Sequence, residues 1–133
     1  MIANPLPASR TPLLGLTPDP PPAASYLRRF AVRTRRRIDF LAVDQVDWIA
    51  AGRGFVTLHA GSERFRLHRQ LGELERELDP RRFLRIHRST IVNLTAVARL
   101  ESDAHGDLTV VVREERLDVG RQRIRRVRAA LLR

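Results

Sequence analysis

The sequence predicts a mainly β domain of short antiparallel strands, with one short helix near residues 69–79 and a basic helix at the C-terminal end. Three observations carry this expectation. Apolar and polar residues alternate over short runs, glycine-bearing turns such as Gly52-Arg53-Gly54 and Gly61-Ser62 separate those runs, and helical apolar spacing occurs in only two places.

Residues 1–25 hold seven of the eight prolines, among them Pro20, Pro21 and Pro22, and show no apolar periodicity. They are expected to form a proline-rich disordered leader, which leaves 26–133 as the domain. FAVRT at 30–34 and RIDFLAV at 37–43 read as strands around an arginine-rich turn, and a third strand is expected over 47–51. GFVTLHA at 54–60 sets Phe55, Thr57 and His59 against Val56 and Leu58, giving a hairpin tipped by Gly-Arg-Gly, and ERFRL at 63–67 follows the next turn.

Leu71, Leu74 and Leu78 then fall at helical spacing, and Pro80 stops the helix. Glu73, Glu75 and Glu77 make that helix acidic, so it suits a prop packed on a sheet better than a surface lying along DNA. Further strands are expected at 83–87, 95–100, 107–113 and 115–119, with a turn at His105-Gly106-Asp107. The chain closes on 121–132, where Ile124, Val127 and Leu131 form an apolar stripe and Arg121, Arg125 and Arg128 lie off it. Trp48 and Phe83 read as core residues.

A length of 133 residues with 43% hydrophobic content allows one core. The absence of cysteine removes disulfides, thiolate nucleophiles and Cys-based zinc sites. No segment approaches the roughly 18–20 apolar residues of a membrane span, and Pro5, Pro7 and Pro12 interrupt any secretory signal. A cytoplasmic protein with no membrane partner is therefore expected. All 25 basic residues are arginine, and residues 26–133 carry 24 of them against 14 of the acids, so the net charge of +10 belongs wholly to the domain. Such a field attracts polyanions, and guanidinium groups suit two-point recognition of phosphate and guanine.

The central segment LDPRRFLRIHRSTIVNL at 78–94 leads from a helix end through an arginine-dense strand to a polar corner at His87, Arg88 and Ser89. With Phe83, Arg85, His87, Arg88, Ser89, Val92 and Asn93 in that order, it resembles the LytTR-type DNA-binding domains of bacterial transcription regulators. VDQVDWIAAGRGFVTLH at 43–59 is similar to that family's strand, reading loop and strand, and RLDVGRQRIRRV at 116–127 to its last strand and terminal basic residues. The resemblance spans about residues 28–132. It implies about ten short strands in stacked antiparallel sheets, a sandwich that reads DNA through loops.

Three loop tips are nominated: 52–55, 87–89 and 120–123. Arginines there can reach two successive major grooves on one face of a duplex. The resemblance places base reading at Arg53 and Arg88, and at either Arg121 or Gln122, with the register of that third tip left open. For Arg53 the plain alternative is a solvated turn arginine, and for Arg88 a surface salt bridge. Arg69, Arg85, Ser89 and Arg123 are the candidates for phosphate contact. Gly120 stands where the family more often has serine, which removes a hydroxyl but leaves a backbone N–H for phosphate.

His87 suits organisation of the corner, its ring donating to a carbonyl, better than a direct DNA contact. His59, His68 and His105 lie in strands and turns without metal-binding spacing, so neither a metal nor a cofactor is expected. Glu73 with Glu77, and Glu114 with Glu115, lack a partner base, nucleophile or phosphate loop, so the chain is not expected to be an enzyme.

The resemblance thus implies a sequence-specific transcription regulator, an output domain like those of response regulators. It would bind double-stranded DNA as a homodimer on promoter direct repeats and bend the site. The leader is too short and too proline-rich for a phospho-receiver domain, which points to regulation by expression level, a partner protein or the leader itself. The alternatives are a basic RNA-binding module, disfavoured by the shortage of exposed aromatic pairs, and a protein-interaction module acting on another regulator.

Overall fold

The computed structural model describes residues 26–132. The leader expected over 1–25 lies outside the described residues. Among the described residues, ten strands pair antiparallel in three sheets. Strands β1 (Arg29–Arg33) and β2 (Ile38–Ala42) form a hairpin; β3 (Trp48–Ala51), β4 (Val56–Ala60), β5 (Glu63–Leu67), β6 (Phe83–His87) and β7 (Thr90–Asn93) form a five-stranded sheet of order β5-β4-β3-β7-β6. A third sheet, of order β10-β9-β8, holds β8 (Val97–Ser102), β9 (Leu108–Val112) and β10 (Glu115–Asp118). Two short helices complete the fold, α1 (Leu71–Glu77) and α2 (Ile124–Leu131).

The five-stranded sheet is the middle layer, because successive side chains on a strand point to opposite faces. Ile49 of β3 and Ile91 of β7 enter one cluster with Phe30, Val32 and Leu41 from the hairpin, Leu71 and Leu74 from α1, and Leu78 at the helix C-cap. Val92 of β7 and Ile86 of β6 enter a second cluster with Leu108, Val110, Val112, Leu117 and Val127 from the third sheet and α2. The acidic helix is thus a prop on the first face, and its leucine stripe is the buried one.

Three sequence expectations need correction. Strand β7 was not expected as a separate element. Ile91, Val92 and Asn93 are all buried, so the alternation that marks a half-exposed strand is missing. The first helix is shorter than 69–79, because Arg69 lies in a bend, its N–H donating to the Leu67 carbonyl, and Gln70 is the extended N-cap whose N–H donates to Glu73 Oε1 at 3.1 Å. Trp48 is only partly buried: its ring lies flat against His59, with centroids 3.8 Å apart and planes 3° from parallel. Phe83 is a core residue, as expected.

Asn93 locks β7 in place. Its Nδ2 donates to the Val46 carbonyl at 3.0 Å, while its Oδ1 accepts from the Thr95 N–H and hydroxyl at 3.1 and 2.8 Å. A buried amide with both ends satisfied fixes the register of the central strand.

Candidate nucleic-acid interface

The three nominated tips meet at one end of the middle sheet. Strand β3 ends where β7 begins, with Ala50 opposite Thr90, and the Ala51 N–H donates to the Ser89 carbonyl at 2.8 Å. That bond ties the first tip to the second. The Gly120 N–H donates to the Ile86 carbonyl at 2.8 Å, which ties the third tip to the second. Arg53, Arg88, Arg121 and Gln122 are all exposed.

At the first tip the local chemistry explains the sequence Gly-Arg-Gly-Phe. Gly54 has φ +77°, a backbone conformation that L side chains resist. The Phe55 ring lies over Gly52 so closely that an added Cβ would sit 2.7 Å from Cζ. Arg66 lies over the same ring, its guanidinium carbon 4.0 Å from the centroid. Phe55 thereby becomes the footing of the loop, and Arg53 stands exposed at its apex. Arg66 drew no functional reading from sequence, because nothing in its position marked it as a neighbour of Phe55.

The second tip is held from inside. A β-bulge shifts the β6–β7 register between Arg85 and His87, the kind of irregularity that re-aims a side chain at a strand end. Arg85 reaches under the turn, donating to the carbonyls of His87 and Arg88 and pairing with Glu75 of α1 at 3.0 Å. His87 Nδ1 accepts the Ser89 N–H at 3.2 Å and lies 2.8 Å from the Ser89 hydroxyl. Nδ1 therefore accepts, closing the turn, and the ring's organising role at this corner is played through Ser89. Arg88 projects outward from this braced corner.

At the third tip, residues Arg121–Arg123 form a 3-10 turn leading into α2. Arg121 Nε sits 3.3 Å from Asp107 Oδ1, yet its side chain remains 83% exposed. The Gly120 N–H, suggested above for phosphate, is already paired with Ile86, so that suggestion is corrected as well.

The phosphate candidates divide into two groups. Among the described residues, no carboxylate lies in salt-bridge range of Arg53, Arg88 or Arg123. Arg69 instead grips Glu73 at 3.2 Å and also Glu77, and those contacts hold its proton more firmly than usual. Arg85 is only 19% exposed and is neutralised by Glu75. A phosphate approaching Ser89 must compete with His87 for the hydroxyl hydrogen. Among the described residues, no helix is long and apolar enough to cross a membrane and no three metal-ligating side chains cluster.

Known proteins resemble this chain in sequence and in fold. The chain is 31% identical over 116 residues to the CO-responsive transcriptional regulator RcoM of Rhodospirillum rubrum, covering 86% of this chain and 48% of that protein, so it spans about half of that relative's length. Its fold matches the LytTr DNA-binding domain of a Bacillus cereus methyl-accepting/DNA response regulator with a TM-score of 0.71, at 22% identity, over 79% of this chain and 97% of that one. The family model described as the LytTr DNA-binding domain matches residues 36–132. With ten short strands, three sheets and its exposed loop arginines gathered at one sheet end, the chain belongs to the LytTR family of DNA-binding domains.

Proposed function

We propose that this chain is the DNA-reading part of a transcription regulator, and that it recognises promoter DNA in the major groove through the three tips. The observation that carries the reading is the pair of backbone hydrogen bonds, Ala51 to Ser89 and Gly120 to Ile86, which makes three arginine-bearing loops a single edge. A rigid edge delivers its guanidinium groups in fixed relative positions, which bidentate contact with guanine O6 and N7 demands.

In this reading Arg53, Arg88 and one of Arg121 or Gln122 touch base edges. Arg123 and, by displacing His87, Ser89 touch phosphate. Arg69 and Arg85 have their charge already balanced by glutamates; Arg69 stays bound to α1 and Arg85 holds the second tip in shape, rather than meeting phosphate themselves. Two copies on two direct repeats, bending the duplex between them, complete the proposal.

Selection of bound sequences from random duplexes, repeated with Arg88→Ala, tests it. The expected result is a recurring motif for the parent chain, with one base position relaxed and affinity reduced by about 1–3 kcal/mol in the variant. Equal binding of single-stranded RNA, or an equal loss on every duplex, would contradict base reading by this residue.

A further inference from the structure

The hairpin β1–β2 presents a second surface, on a side chain set that takes no part in the three tips. We infer that its outer face and the free edge of β2 dock an extended, acidic segment of a partner protein, with apolar residues at alternate positions.

The backbone register fixes which groups are free. At the hairpin turn the Thr34 N–H donates to the Arg37 carbonyl at 2.9 Å, and at the open end the Val43 N–H donates to the Arg28 carbonyl at 2.9 Å. Between these bonded pairs, hydrogen-bonded and non-bonded pairs alternate along the ladder from Arg33 opposite Ile38 to Arg29 opposite Ala42. Ile38, Phe40 and Ala42 occupy the non-bonded positions, so their N–H and C=O groups point away from β1. β1 itself packs beside β5, and among the described residues no strand pairs with the outer edge of β2.

The same three residues turn their side chains outward. Phe40 is 58% exposed and Ile38 45%, and Ala31 and Ala42 beside them are exposed too. Native edge strands are normally blunted by proline, a bulge or inward charge. Here β2 has neither proline nor a register shift. Its one carboxylate, Asp39, is paired with Arg37 at 3.2 Å.

Charge chooses the occupant. Residues 29–42 carry five arginines against that one aspartate, and Arg29 lies over the Phe40 ring at 4.2 Å. A DNA backbone would satisfy the arginines but leave the apolar face and the strand edge uncovered. An anionic bilayer would take the arginines and Phe40 but offers no row of amides to pair with β2. A second copy of the same hairpin would set arginines against arginines. An acidic extended peptide meets the edge, the apolar stripe and the charge together, in the manner of strand addition. Strand β1 also lies ahead of the residues that the family model matches, 36–132, so this surface is not simply the shared DNA-reading core.

The test uses the full chain and a short acetylated, amidated peptide alternating glutamate and valine. Amide hydrogen exchange at Ile38, Phe40 and Ala42 should slow when the peptide is added. A peptide of the same composition in block order, glutamates first and valines after, should not reproduce the effect. Ala42→Pro is the decisive variant: Ala42 already has φ −64°, so proline fits the backbone and removes one edge donor without touching the β1 ladder. It should weaken peptide binding on the order of tenfold and leave DNA affinity unchanged, and Phe40→Asp should act likewise. Binding of the block-order peptide as tightly as the alternating one would overturn the inference. So would protection of these amides by duplex DNA, by anionic vesicles, or by raising the protein concentration alone.

Discussion

Arg85→Met separates a residue that shapes the reading edge from one that touches DNA. Methionine keeps an apolar stem of similar length under α1 but removes every donor. The guanidinium donates to two carbonyls, those of His87 and Arg88, and pairs with Glu75. A hydrogen bond from a charged group contributes about 1.5–3 kcal/mol, but the bond to His87 is long at 3.4 Å and counts for little. The Glu75 partner is 41% exposed, which limits that pair to about 0–1 kcal/mol. The net loss is then about 2 kcal/mol of stability, a fall in Tm on the order of 10 °C for a domain of this size.

DNA binding should weaken, because the second tip loses the brace that presents Arg88, while the slope of log affinity against log salt stays constant. Thermal melting and a salt series of binding isotherms measure both. A variant of parental stability whose salt slope falls by about 0.9 would show that Arg85 meets a phosphate, and the bracing argument would be refuted.

Three further outcomes follow from the same geometry. Arg123→Ala should weaken binding to all duplexes alike and lower the salt slope by about 1, read from the same salt series. Gly120→Ala should stabilise the fold by about 0.4–1 kcal/mol in denaturant melts without altering DNA affinity, because Gly120 has φ −62° and an added Cβ meets its nearest atom at an ordinary 3.7 Å. His59 lies below its ordinary value of 6.5 because burial penalises the imidazolium, with Arg64 adding repulsion. The unfolded chain therefore binds the extra proton first, and stability present above 6.5 is lost as pH falls through the lowered value. His59→Phe keeps a ring against Trp48 and should flatten that decline in melts taken between about pH 7.5 and pH 5.

The elements that sequence revealed are those with a local signal. Glycines at 52, 54 and 106 and the alternation around Val56 and Leu58 marked their turns and strands, and the leucine spacing of α1 marked both its existence and its buried face. Strand β7 stayed hidden because a strand covered on both sides has no polar beat, and four residues are too few to supply another cue. The candidate site divides in the same way. That arginines crown three turns can be read from the chain. Which arginines are neutralised depends on partners distant in sequence, such as Glu75 for Arg85, ten residues away across a helix end, and Asp44 for Arg82. The binding of the third tip to the second through Gly120 and Ile86 spans the whole third sheet and left no trace in either segment.

The most direct measurement compares selected duplex motifs for the parent chain and for the single variants Arg53→Ala, Arg88→Ala and Arg121→Ala. If three loops act as one reading edge, each substitution should relax a different base position, and the relaxed positions should be ordered along the site as the loops are along the sheet end, with the Arg88 position between the other two. Motifs left intact by all three changes, with affinity falling only as salt rises, would mean that these arginines supply charge and nothing more.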